Sequence, residues 1–205
     1  MAGYIGTKAA LLSTTTASVG GDSTVGGDLF VDAVYNQSGD NDSGLDLSTN
    51  DVVAVKTGNT ERLRVDSSGR VTMPYQPAFH AMAKATNDIS SGNLIYDNAT
   101  FNTGNHYNTS TGNFTAPVAG VYQFHASCYS QANTGTSVSA KITVNGTMRQ
   151  IGEVSEVGGN FGYDGINMSV IVYLNANDVV AIQYRGGASL HLNNQNNSFS
   201  GALIG

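Results

Sequence analysis

The feature that most constrains this chain is a two-residue alternation of apolar and polar side chains, repeated in run after run between Tyr122 and Leu203. Tyr122, Phe124, Ala126 and Cys128 alternate with Gln123, His125 and Ser127. Val138, Ala140, Ile142 and Val144 alternate with Ser139, Lys141 and Thr143. Ile166, Met168, Val170, Val172 and Leu174 follow, then Val180, Ile182 and Tyr184, then Ala188, Leu190 and Leu192, and last Phe199, Gly201 and Leu203. Successive side chains of a strand point to opposite faces, so each run can bury one face and wet the other. The runs do not keep helical spacing. Their connections read as turns. Asn145-Gly146 suits a hairpin turn with two left-handed residues, and Asn175 to Asp178 is a short polar loop. This pattern predicts an all-β fold, an antiparallel sandwich or barrel. Composition agrees. Only 12% of residues are charged, against about 25% in average soluble proteins. Gly, Ser, Thr and Asn replace the Ala, Leu, Glu and Lys that long helices need.

The pattern is weaker upstream of Pro74 and Pro77. Residues 1–30 are small and polar, with the run Ser13 to Ala17, Gly20-Gly21 and Gly26-Gly27, and little to build a core from. Their best apolar anchors are Tyr4, Ile5, Leu11 and Leu12. Short strand signals follow: Leu29 and Val31, then Val52, Val53 and Val55. Leu63 and Val65 lead through Asp66-Ser67-Ser68-Gly69 to Val71 and Met73, which reads as a hairpin. These strands are too short to make a core within one chain, so they are expected to need partner chains or a platform. Three parts are expected: an anchoring segment over 1–30, an extended β-stalk or linker over 31–76, and a head over 77–205.

Charge and cysteine usage exclude several classes. The formal net charge is −6, and the 9 Lys and Arg residues are scattered rather than striped. Nucleic-acid binding is therefore not expected. The apolar runs are far shorter than the roughly 18 residues that span a bilayer, so no membrane insertion is expected. Met1 to Leu12 lacks the basic start and continuous apolar block of a secretory signal. Cys128 is the single cysteine, which rules out an intrachain disulfide and fits folding in a reducing cytoplasm.

A search for catalytic groups finds isolated residues. Ser189 and His191 share a strand face without a carboxylate nearby in sequence. His80, His106 and His125 stand apart, and Cys128 lines up with packing residues. Glu153 and Glu156 read as polar strand-edge residues, and Gly158 to Gly162 reads as a loop without a phosphate-binding pattern. Asp40, Asp42 and Asp46 have the spacing of a calcium loop, but the acidic or amide residue at its fifth position and the closing Glu are missing. The expectation is no enzyme, no cofactor and no metal.

Several stretches of the head resemble the globular head of complement C1q, a tumour-necrosis-factor-like jelly roll. Pro77-Ala78-Phe79 resembles its first strand. Thr111-Gly112-Asn113-Phe114-Thr115-Ala116-Pro117-Val118-Ala119-Gly120-Val121-Tyr122-Gln123-Phe124 resembles its central signature, with Phe101, Tyr107 and Asn108 suitably placed before it. Leu174 to Val179, with Asp178, resembles a late strand-loop-strand, and Ser198 to Ile204 the closing strand. Ala116 stands where the family often has Cys. The resemblance implies a C-terminal antiparallel jelly-roll sandwich with Phe79, Phe114, Tyr122, Phe124 and Phe199 in its core. It also implies a close homotrimer.

The N-terminal part resembles other proteins. Glu61-Arg62-Leu63-Arg64-Val65-Asp66-Ser67-Ser68-Gly69-Arg70-Val71 is similar to a stretch common in phage tail-fibre and other virion appendage proteins. Met1 to Gly6 and Gly27 to Asp32 resemble virion-anchoring parts of such proteins in marine phages. Together these resemblances imply a bacteriophage structural protein, a trimeric tail-fibre or capsid-decoration protein made in the host cytoplasm and carried on the virion. Its N-terminus would join other virion proteins, and its head would meet a host-surface ligand such as a glycan. The alternative is a secreted, complement-head-like ligand-binding module with no virion.

Overall fold

A computed structural model describes residues 33–35, 42–83, 87–130, 137–155, 164–187, 190–192 and 197–205. The named elements among these residues are all strands, and they form antiparallel sheets.

The first five strands form a meander in the order β1-β2-β3-β4-β5. They are β1 (Ala33–Tyr35), β2 (Gly44–Asp46), β3 (Val53–Thr57), β4 (Thr60–Val65) and β5 (Val71–Thr72). Tight turns fold the described strands back on one another. Gly58 and Asn59 both take left-handed φ, +56° and +54°, and turn β3 into β4. The Asp66 carboxylate accepts backbone N–H bonds from Ser68 (2.9 Å) and Arg70 (3.0 Å), which holds the β4–β5 turn.

Register then sorts the residues by face. Val34, Leu45, Val55 and Leu63 stand opposite one another in successive strands, as do Val53, Val65 and Val71. Both rows share one face. The other face carries Asp46, Ala54, Arg64 and Thr72, with Lys56 paired to Asp46 and Arg64 to Glu61. Ala54 is the one buried hydrophobic residue among the described residues of this sheet.

The rest of the chain folds as a two-sheet sandwich. Its strands are β6 (Ala78–Met82), β7 (Asn87–Ile89), β8 (Asn98–Thr103), β9 (Tyr107–Asn108), β10 (Asn113–Thr115) and β11 (Gly120–Ser130). They continue as β12 (Ser137–Val144), β13 (Thr147–Ser155), β14 (Asp164–Leu174), β15 (Val179–Gly187), β16 (Leu190–Leu192) and β17 (Ser198–Leu203). One sheet runs β13-β12-β15-β10-β9. The other runs β7-β16-β11-β17-β6-β8, with β14 also paired to β11. The first strand lies beside the last and β11 beside both β14 and β17, the crossing pattern of a jelly roll.

The core lies between the sheets. Phe79 stacks on Tyr107 (4.6 Å between ring centroids) and Phe114 (5.2 Å) and meets Phe199 edge-on (4.9 Å). Phe124 packs against Phe114 (5.3 Å) and Phe199 (6.0 Å), and Tyr122 against Phe114 (5.7 Å). All these rings are buried. The Asn145-Gly146 turn joins β12 to β13 with both residues left-handed, at φ +49° and +76°. Gly112 has φ +71°, but Gly120 is needed for space: a Cβ there would lie 2.7 Å from the Gly205 carbonyl oxygen, because the C-terminus lies alongside β11.

The ends of the sandwich differ. The chain enters at Pro77, whose carbonyl accepts a bond from Leu203 N (2.9 Å). The Ala116–Ala119, Asn145-Gly146 and Asn175–Asp178 connections lie at that same end. Ser130, Ser137, Ser155, Asp164 and Gly187 end their strands at the opposite end.

Candidate functional site

The outer face of the β8-β6-β17-β11-β14 sheet is the surface most unlike the rest of the head. Alternation buries Phe79, Phe199, Phe124 and Met168 and turns their neighbours outward. Register aligns those neighbours in cross-strand rows. One is Phe101, His80, Ser200, His125 and Ser169, and another is Thr103, Ala78, Ala202, Gln123 and Ile171. Tyr173 stands opposite Val121 at the entry end. Phe101, Ile171 and Tyr173 are exposed, the last two at 63% each. Ala78, Phe101, Gln123, His125, Ser200 and Ala202 line a shallow hollow between them. These rows contain no Asp, Glu, Lys or Arg, in a chain of net charge −6. The other sheet carries Lys141 and the Arg185–Glu153 pair at 3.8 Å. A charge-free face with exposed aromatic and aliphatic side chains is built to meet another apolar surface.

The polar residues singled out from sequence take scattered places. His80 shares a hydrogen bond with the Thr100 hydroxyl (2.8 Å). His125 lies in the outer row, and His106 sits beside Gly104 in the turn before β9. Cys128 is buried beside the Tyr96 hydroxyl (3.3 Å), and burial pushes its thiol up to about 12, so it is inert at neutral pH. Asp46 of the candidate calcium stretch is taken by Lys56 and by Ser48, whose hydroxyl donates at 2.6 Å. Tyr4, Ile5, Leu11, Leu12, Asp40, Glu156, Ser189 and residues 158–162 lie outside the described residues. Among the described residues no group of three or more His, Cys, Asp or Glu side chains is placed to hold a metal ion.

Sequence reasoning missed Tyr96. It sits in no alternating run, because residues 92–96 form a non-strand segment bonded to β15 through Leu94 N to Ile182 O (2.8 Å). Its hydroxyl reaches Ser127 O (3.3 Å). Its own backbone is bracketed by the Tyr107 hydroxyl, which accepts from Tyr96 N (3.2 Å) and donates to Tyr96 O (3.0 Å).

Asp178 binds three connections together at the entry end. Its carboxylate accepts from the Asn145 amide (2.7 Å) and from Asn175 N (2.8 Å), and its carbonyl accepts from Ala116 N (2.9 Å). The Asn145 bond, then the Asn175 bond, holds its pKa below the ordinary 3.8. A depressed carboxylate contributes stability that is present above its unfolded pKa and lost as pH falls through the folded one. Asp178→Asn should therefore lower the melting temperature at neutral pH, and the gap from wild type should close as pH falls through and below the ordinary carboxylate range. Thermal unfolding across that range measures it, and a gap constant with pH would deny the carboxylate's charge any part.

The two-sheet sandwich has the fold of the complement and tumour-necrosis-factor heads. Similarity to known proteins makes this specific: residues 78–204 match the C1q domain, and the chain belongs to that family. Solved structures share the fold. The globular domain of zebrafish complement 1qA matches at TM-score 0.53 with 17% identity, over 63% of this chain and 98% of that one. Murine APRIL matches at 0.52 with 11% identity, over 63% and 99%. Eiger TNF from S. frugiperda matches at 0.51 with 13% identity, over 63% and 93%.

Proposed function

We propose that this chain is a non-catalytic structural protein of a bacteriophage virion. In this reading it is a trimeric fibre or decoration protein whose head binds a ligand on the host surface. The observation that carries the assembly is the charge-free outer face of the β8-β6-β17-β11-β14 sheet. Ile171 and Tyr173 stand exposed there on β14, which pairs only with β11 among the described strands. Packing three such faces about one axis would remove them from water without stranding a charge. The Glu61–Val71 stretch and the small, polar N-terminal segment support the virion setting. The sandwich supports the division of labour. The chain enters at one end, so the strand ends at Ser130, Ser155 and Gly187 face away from any anchor. The connections that leave there, 131–136 and 156–163, include Gln131, Asn133, Asn160, Phe161 and Tyr163, amide and aromatic side chains of the kinds that suit a glycan.

Light scattering on the purified chain should give three times its 21.3 kDa mass. Ile171→Asp should shift the species to monomer at micromolar concentration, by placing three carboxylates in the apolar contact. A wild-type monomer would end the trimer reading. Mass spectrometry of purified phage particles tests the virion setting, and absence of this chain's peptides from them would refute it.

A further inference from the structure

The five-stranded sheet β1–β5 has a problem that its own fold does not solve. Among the described residues it is a single layer, and its strands pair only with one another. Its larger apolar side chains, Val and Leu, nevertheless gather on one face, in the row through Val55 and the row through Val53. Val53, Val55 and Val71 are 40%, 39% and 61% exposed. The ion pairs Lys56–Asp46 and Arg64–Glu61 belong to the opposite face. A sheet with one apolar face must cover it with another layer.

We infer that this face is covered by the same face of neighbouring copies of the chain, so that three β1–β5 sheets pack inward around one axis below the heads.

Two observations choose this occupant. The first is charge. The charged side chain that reaches the rim is Arg62, at the β3–β4 bulge, and it is already engaged: its Nε donates to Thr57 Oγ1 (2.8 Å) and its guanidinium lies over the Tyr75 ring at 4.9 Å. Among the described residues of this face, a nucleic acid, an anionic lipid surface or an ion-rich protein finds no unengaged charge to pair with. An identical uncharged face meets itself without leaving a charge unpartnered. The second is tethering. β5 ends at Thr72 and β6 begins at Ala78, so the sheet hangs on a connector of a few residues, with Pro77 buried at its head end. Three assembled heads would hold three sheets at an effective concentration on the order of millimolar. The inference therefore rests on the trimeric head proposed above.

Site-directed cross-linking of the full chain tests it. Val55→Cys puts a thiol at the centre of the apolar face. Thr72→Cys puts one on the charged face. Native Cys128 is buried and does not compete. A three-armed maleimide should convert most of Val55→Cys to covalent trimer and leave Thr72→Cys as single chains on a denaturing gel. Light scattering on the same samples before cross-linking separates the two readings. A trimer in which Val55→Cys stays single, or in which Thr72→Cys links instead, overturns this inference and leaves the head assembly standing. A monomer overturns both. If Ile171→Asp remains trimeric while Val55→Cys still links, the sheet holds the assembly and the head-face reading fails alone.

Discussion

Replacing Phe124 with alanine is expected to cost about 3–5 kcal/mol, the usual loss for a buried aromatic, and to abolish soluble expression of the chain. Phe124 is fully buried at the centre of β11, the strand that hydrogen-bonds to both β14 and β17. Its ring meets Phe114 at 5.3 Å, Phe199 at 6.0 Å and Tyr122 at 6.1 Å. Collapse around the lost ring is restricted, because its neighbours belong to strands of both sheets. Gly201 offers no side chain to fill the gap. It is glycine for the converse reason, since a Cβ there would lie 2.4 Å from the Phe124 ring. A domain stable by about 5–15 kcal/mol tolerates such a loss poorly. Met148→Ala is the control, because that side chain is 48% exposed on β13, in the other sheet, and its removal should change stability little. Soluble yield of both variants decides the matter, and a Phe124→Ala protein that is soluble and melts like wild type would mean the core is packed otherwise.

A fragment beginning at Pro74 is expected to be soluble, trimeric and thermally stable, yet to lose attachment to particles completely. Every strand of the sandwich lies downstream of that point, and so do the contacts that close its entry end. Gln76 donates its side-chain amide to Leu203 O (3.0 Å), Leu203 N donates to Pro77 O (2.9 Å) and Ile204 N to Val121 O (2.8 Å). A start beyond Pro77 would remove the first two. Attachment is expected to depend on residues 1–30 instead, through Tyr4, Ile5, Leu11 and Leu12. Incubating the fragment and the full chain with particles lacking the protein, then sedimenting the particles, reads attachment directly. If the fragment still decorates them, attachment lies in the head and the roles of the two halves are reversed.

Features that depend on the local chain are legible in the order of residues alone. Alternation along β11, β12 and β14 is a property of one strand at a time, and it places Tyr122, Phe124 and Met168 on a common side. Asn145-Gly146 and Asp66-Ser67-Ser68-Gly69 state their turns in the residues themselves, through left-handed φ and an acceptor carboxylate. The stretch from Thr111 to Phe124 suggests the jelly roll through its resemblance to the C1q signature, and that resemblance is legible because the stretch is contiguous in sequence.

What depends on register and on contacts far apart in sequence was decided only by the tertiary structure. No local pattern marks Tyr96 as core. It is buried because residues 92–96 bond to β15 and because Cys128, on a distant strand, lies beside its hydroxyl. Gly120 and Gly201 look like any strand glycine until Gly205 and Phe124 are seen pressing on them. The charge-free outer face is no one strand's property. Each of its strands contributes one or two ordinary polar or apolar residues, and pairing among β8, β6, β17, β11 and β14 sums them into a surface. In the same way Val34, Leu45, Val55 and Leu63 are isolated residues in sequence that register turns into a row. The sequence by itself determined the class of fold, because side-chain direction in a strand is a local matter. Which faces remain to be covered is a sum over paired strands, and only the folded chain performs it.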